Sequence, residues 1–194
     1  GWPGPRPAAP SIPPPLPARV SPFLPPPLLA LAPAEPAGAK TSRQEAAQAQ
    51  ERVAEAVAEA QSKRARGQRV WCVPFARTAS GIEIKGNART WWAAAEGRYA
   101  RGRTPQKGAV MVFAGMKGMP MGHVGVVAEV LSDREIRIDH ANWSRNRVTL
   151  GHLVRDVSEN GDWTRVQLEH APGSFGRTNP VHGFIYPGEM VASR

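Results

Sequence analysis

Gly122-His123-Val124-Gly125-Val126-Val127 and, shortly after it, Ile136-Arg137-Ile138-Asp139-His140-Ala141-Asn142-Trp143 decide how this chain folds. They sit in two apolar, β-rich runs, 123–131 and 135–142, separated by a short turn-like break at Asp133. Two such runs about a tight break read as a β-hairpin. Working outward, further β-rich runs are expected at 109–113 upstream, and at 148–157, 163–169 and 183–186 downstream. Ahead of them, 72–79 and 87–97 read as short helices, the second opened by Asn87 and closed near Gly97. Helices first and strands afterwards predict a segregated α+β fold, with short N-terminal helices packed on an antiparallel sheet, rather than alternating βαβ units.

The segment before this domain has a different character. Of the 20 prolines in the 194 residues, 14 fall within residues 1–40. Proline lacks the N–H that helices and central strands need, so 1–40 is expected to be an extended, partly polyproline arm. Residues 41–67 then turn Ala-, Glu-, Gln- and Arg-rich, which predicts a linker helix stopped at Gly67, with Thr41/Gln44 or Ser42/Glu45 as a capping box. Its apolar stripe, Ala46, Ala49, Val53, Ala56, Val57 and Ala60, is thin and suits docking against a domain or partner. The expected organisation is thus arm 1–40, linker helix 41–67 and one domain at 68–194.

The single cysteine excludes an internal disulfide and any zinc site needing two or more thiolates. No run of about 20 apolar residues is present, so no transmembrane helix is expected. The net charge of +9 would attract anionic polymers in general, and no nucleic-acid-binding motif accompanies it.

Cys72 opens a predicted helix, where amide N–H groups and nearby cations favour a thiolate nucleophile; a buried, inert cysteine is the alternative. His123 begins an apolar strand after a Gly-rich loop, placed to face a cleft as a base. Strand alternation puts His140 and Asn142 on one face and Asp139 on the other, so a hairpin would bring their end beside His123, as a base and its orienting group require. Trp71, Trp91, Trp92 and Trp143 are candidates to line the cleft, with packing of helix on sheet the other reading for Trp91 and Trp92. His152, His170 and His182 read as surface or structural.

Cys72 with Arg77, the run 108–113, Gly122-His123-Val124-Gly125, the end His140-Ala141-Asn142-Trp143 and the closing Val181-His182-Gly183-Phe184-Ile185-Tyr186-Pro187 together resemble the CHAP domain of cysteine, histidine-dependent amidohydrolases and peptidases, over about residues 70–188. The resemblance implies a papain-like fold and hydrolysis of amide bonds in bacterial cell-wall peptidoglycan, as amidase or endopeptidase, in a periplasmic or secreted protein. It implies Cys72 as nucleophile, His123 as general base, a thiolate–imidazolium pair between them, and no metal or other cofactor. At the third catalytic position, often Glu, Asp or Asn in that family, the choice here is His140 or Asn142. Trp71 and Trp143 are the expected substrate-binding residues. Two alternatives stay open: an assembly subunit whose Pro-rich arm binds a protein partner and whose domain has little activity, and an amidase acting on a small amide.

Overall fold

The computed structural model describes Gly1, Gly4 and residues 37–189, with side chains placed over 42–188. Almost all of the expected Pro-rich arm lies outside the described residues. The first element is α1 (Ala37–Ala65), a helix of 29 residues. It starts ahead of Thr41 and Ser42, so neither expected capping pair stands at its end; the helical composition already begins after the last proline of the arm. The thin stripe is docked. Ala56 and Ala60 are buried, and Val53 and Val57 pack beside Phe75, Ala76 and Ala79 of α2 (Cys72–Ser80). Thr78 Oγ1 donates to Glu59 Oε2 across this contact at 3.1 Å.

Helix α2 carries Pro74 in its first turn, where the missing N–H has no intrahelical acceptor to lose. It stops at Gly81, whose left-handed backbone (φ 75°) lets its N–H reach the Arg77 carbonyl. The helix expected over 87–97 is shorter in the structure. A 3-10 turn, Ala88–Thr90, leads into α3 (Trp91–Ala94). The backbone then turns at Gly97 (φ 72°) and delivers Tyr99 to a strand. Trp91 is fully buried, which settles it as a core residue.

Seven strands follow: β1 (Tyr99–Gly102), β2 (Val110–Phe113), β3 (His123–Ser132), β4 (Glu135–Ala141), β5 (Val148–Asp156), β6 (Arg165–Ala171) and β7 (Ser174–Glu189). Their order is β1-β7-β2-β3-β4-β5-β6, and β7 pairs with β6 as well. Strands β2 to β7 therefore close on themselves as an antiparallel barrel, with β1 added outside on β7. The β3/β4 hairpin turns through Asp133 and Arg134, and pairs Val126 with Asp139 and Val127 with Ile138.

Alternation sorts the side chains into two cores. Val110, Val112, Val124 and Val126 face the helices, with Phe75, Ile82, Ile84 and Trp91. Met111, Phe113, Val127, Ile136, Ile138 and Val154 belong to the second cluster, with Trp163, Leu168 and Phe184. His123 has the strand parity of Val127, His140 that of Ile138 and His152 that of Val154, so all three histidines share the face of the second core. Asp139 takes the opposite face, and its Oδ1 accepts the Gly151 N–H at 2.7 Å.

Candidate active site

Cys72 is the first residue of α2, following Trp71 in extended conformation (φ −128°, ψ 150°). Strand β3 begins beside it. The cysteine sulfur lies within hydrogen-bonding reach of the Val124 backbone, one residue past His123. Together Cys72 and His123 line a cleft of about 810 Å³, whose walls also include Arg69, Trp71, Met121, Asn142, Trp143 and Arg177. The loop entering β3 is fixed by Gly122. Its φ is 67°, and a Cβ there would stand 2.8 Å from the Arg89 backbone nitrogen and 2.8 Å from the Phe113 carbonyl oxygen. Only glycine meets both demands, and this places His123 at the cleft.

His123 is almost wholly buried and its Nε2 lies 2.9 Å from Nδ1 of His140. His140 is completely buried, and its Nε2 lies 2.8 Å from Nδ1 of His152. The Nε2 of His152 in turn donates to the Glu169 carbonyl oxygen at 2.5 Å. Three rings on β3, β4 and β5 thus form one hydrogen-bonded file that ends on the backbone of β6. Opposite His140 on β3 stands Gly125, where a Cβ would come within 2.9 Å of Ile138 Cδ1 and 3.4 Å of His140 Cβ, so its lack of a side chain leaves room for the second ring.

Trp143 closes the file from the side. Its ring is 5.1 Å from that of His123, edge-on, and 5.9 Å from that of His140, nearly parallel. Phe113 backs His123 at 5.5 Å. Trp71 is the exposed aromatic at the mouth, 51 % accessible, with the Arg69 guanidinium 4.4 Å above its ring. Trp92 instead stacks with His182 and lies under Arg101, away from the cleft lining.

Of the two candidates for the third position, only His140 touches His123. Asn142 lines the cleft, but the extended backbone ends at Ala141 and Asn142 adopts φ 64°, so the alternation that put it on the face of His140 no longer applies there. Its Oδ1 accepts the Asn146 N–H at 2.8 Å. Asn146, also left-handed at φ 58°, accepts the Val70 N–H on its own Oδ1 at 2.8 Å. The two asparagines are therefore a strut between the end of β4 and the segment leading into Cys72. Sequence reasoning did not single out Asn146, and it read His152 as surface or structural, whereas His152 is half-buried and bonded within the file. The signal for Asn146 was present, since an asparagine in a short polar break between β runs favours a left-handed turn.

Burial pushes the Cys72 thiol above its ordinary value, while backbone groups of Val124, Val73 and Cys72 itself pull it back. Burial, with His152 as a second cause, holds His123 down to about 3. His140 is held well below the usual imidazole range by burial, then by His123 and His152. Removing charge from water is costly unless it is compensated, so burial at both groups favours the neutral thiol and the neutral imidazole. Asp139 cannot offset this from the other face of β4; its own carboxyl is raised by burial and lowered by the Gly151 N–H.

The charged side chains in the cleft lining are Arg69 and Arg177; no carboxylate is among them. Among the described residues, no group of three or more His, Cys, Asp or Glu is arranged to hold a metal ion. No described helix is long and apolar enough to cross a membrane.

Residues 63–142 match the family model of the CHAP domain. The matched segment contains Cys72, His123 and His140 and stops before β5. A search of the curated proteins found no match.

Proposed function

The chain carries a CHAP domain, a family whose members in general act as amidases or peptidases on peptidoglycan, and from this premise we propose that it is a cysteine amidohydrolase of the bacterial cell wall. The observation that supports this most is the shared cleft: Cys72 at a helix start, His123 at a strand start in the same wall, and His123 Nε2 held by His140 Nδ1 at 2.9 Å. That is a papain-like division of labour between a helix and a sheet. In this reading Cys72 is the nucleophile, His123 the general base and acid, and His140 the orienting group.

The chemistry starts from the neutral pair. As the Cys72 sulfur attacks the amide carbonyl carbon, its proton passes to His123, so the ions form only when substrate has replaced water in the cleft. The first-turn N–H groups of α2, at Cys72 and Val73, have no intrahelical acceptors and suit a developing oxyanion. His123 then protonates the leaving nitrogen as the C–N bond breaks. In the second half His123 takes a proton from water, the hydroxyl adds to the thioester, and the C–S bond breaks with the proton returning to sulfur.

Trp71 and Trp143 are the substrate-binding aromatics of this proposal. Arg69 and Arg177, facing no carboxylate in the lining, favour the acidic peptide stems of the wall over neutral amides. The same reading places the protein in the periplasm or outside the cell, and gives the Pro-rich arm a protein partner. The test is digestion of purified peptidoglycan by the full chain and by Cys72→Ser, with the released fragments identified by mass spectrometry. New amine and carboxyl ends from the wild type and none from the variant are expected. Equal release from both would sink the cysteine mechanism, and no release from either would move the substrate to another amide.

A further inference from the structure

The file of histidines does not end where the orienting role ends. His140 is already the partner of His123, yet its second nitrogen is spent on His152, and His152 is spent on a backbone carbonyl. His152 lies outside the segment 63–142 that matches the family model. Its position has a consequence for protons. A neutral imidazole has one N–H and one lone pair, on different nitrogens. A carbonyl oxygen has no hydrogen to give, so the contact with Glu169 fixes the N–H of His152 on Nε2 and leaves a lone pair on Nδ1. That lone pair requires His140 to carry its hydrogen on Nε2 and leave Nδ1 as acceptor. His140 Nδ1 in turn requires the hydrogen of His123 on Nε2. The one nitrogen left with a lone pair outside the file is Nδ1 of His123.

We propose that His152 is a positioning residue, which with the Glu169 carbonyl sets the tautomer of His140 and through it that of His123, so that Nδ1 of His123 is always the basic nitrogen. The claim rests on the reading of His123 as general base. The opposite polarity of the file would need the carbonyl to donate, so a single backbone group directs three side chains. This answers a difficulty of using histidine rather than a carboxylate at the third position. A carboxylate accepts only, and so dictates the tautomer of its partner, whereas a lone neutral His140 presents a donor or an acceptor equally well. His152 removes that ambiguity. When His123 takes the Cys72 proton on Nδ1, both its nitrogens carry hydrogen and its Nε2–H still meets the lone pair of His140; no proton has to move along the file.

The experiment reads the tautomers directly in the resting full chain. With ¹⁵N-labelled histidine at about pH 8, where an unperturbed imidazole is neutral, long-range ¹H–¹⁵N spectra distinguish protonated from unprotonated ring nitrogens. Wild type is expected to show His123, His140 and His152 all as Nε2–H forms. A wild-type His123 carrying its hydrogen on Nδ1 overturns the proposal whatever the variants do. His152→Leu removes the acceptor, and His123 should then show mixed tautomers while kcat falls about 10-fold or more with KM little changed. His152→Asn, which restores an acceptor near the position of Nδ1, should return both the single tautomer and most of the rate. A folded His152→Leu protein with an unchanged His123 tautomer also overturns it. Because the spectra need no turnover, a failure of peptidoglycan digestion refutes the proposed substrate without touching this assignment.

Discussion

The Nε2 of His123 meets Nδ1 of His140 at 2.9 Å, between two rings set edge to face at 80°. The contact joins β3 and β4, the two strands of the hairpin, at the end where the cleft opens. It exists because the pairing of Val126 with Asp139 brings His140 level with Gly125, a position with no side chain to intervene. His123 and His140, the proposed base and its partner, are thus held by sheet register, while Cys72, the proposed nucleophile, comes from the helix packed beside them.

That geometry separates the two candidates for the third position. His140→Ala should lower kcat by about 10-fold or more with the fold retained, because His123 loses the partner that fixes its ring. Asn142→Ala should do the reverse. It loses the hydrogen bond to Asn146 and puts a Cβ without side-chain compensation at φ 64°, which together cost roughly 1–3 kcal/mol of stability, with kcat per folded molecule close to wild type. Paired thermal melts and turnover numbers distinguish the patterns, and a folded Asn142→Ala protein with little activity would return the orienting role to Asn142.

The buried histidines also predict how stability follows pH. His123 and His140 titrate below their unfolded value near 6.5, His123 at about 3. Between pH 6.5 and about 3 the unfolded chain therefore binds more protons than the folded one, and stability falls as pH falls, by up to about 1.4 kcal/mol per pH unit for each group. Asp139, raised by burial, acts in the opposite sense above the ordinary carboxylate value and offsets part of the loss. Melting of the wild type should drop clearly between pH 7 and pH 5, and less steeply in His140→Asn. Parallel slopes in the two proteins would mean that His140 is charged in the fold.

Much of this arrangement was legible in the sequence, and the rest was lost for identifiable reasons. The hairpin was readable because 123–131 and 135–142 are long, β-branched and separated by a tight polar break, and the start of α2 at Cys72 followed from the composition around it. Strand β1 was missed because Tyr-Ala-Arg-Gly is too short and polar to carry a period. Strand β7 was seen only at 183–186, since Pro180, Pro187, Gly176 and Gly183 punctuate a strand that nonetheless runs for 16 residues. The approach of His140 to His123 could be argued from register alone. His152 could not, because the register between β4 and β5 shifts between Ile138 and His140, and a one-residue shift moves a side chain to the other face.

The cleft cations give a prediction about substrate charge. Arg69 is held over Trp71, and Arg177 donates to the Lys117 carbonyl at 3.3 Å, and among the described residues no carboxylate of the cleft lining stands beside them. Arg69→Gln and Arg177→Gln should each raise KM for acidic peptide substrates by about 3- to 10-fold while leaving kcat near wild type, and the difference should shrink at high salt as the field is screened. Steady-state kinetics on matched acidic and amidated peptides would show it. An equal KM change on both peptides would mean that the arginines act by shape and not by charge.

The last prediction concerns α1, whose thin apolar stripe suits docking against a domain or partner. Ala56 and Ala60 are buried in the same core as Phe75 and Ala79, Val53 and Val57 pack against it, and Thr78 bonds to Glu59. Removing the helix would expose this face of α2, the element that carries Cys72. Deleting residues 1–36 should leave the melting temperature and turnover nearly unchanged, because every described contact of α1 is retained. Deleting 1–67 should cost at least about 3 kcal/mol from the two valines, the two alanines and the surface they cover, or roughly 10 °C of melting temperature for a domain of this size. Activity should fall with it, since the start of α2 is held on one side by this helix and on the other by the Asn146 bond to Val70. Should the 68–194 fragment melt within a degree or two of the full chain, α1 would be a tether resting on the domain, and the rigidity of the Cys72 turn would have to come from the Asn142–Asn146 strut alone.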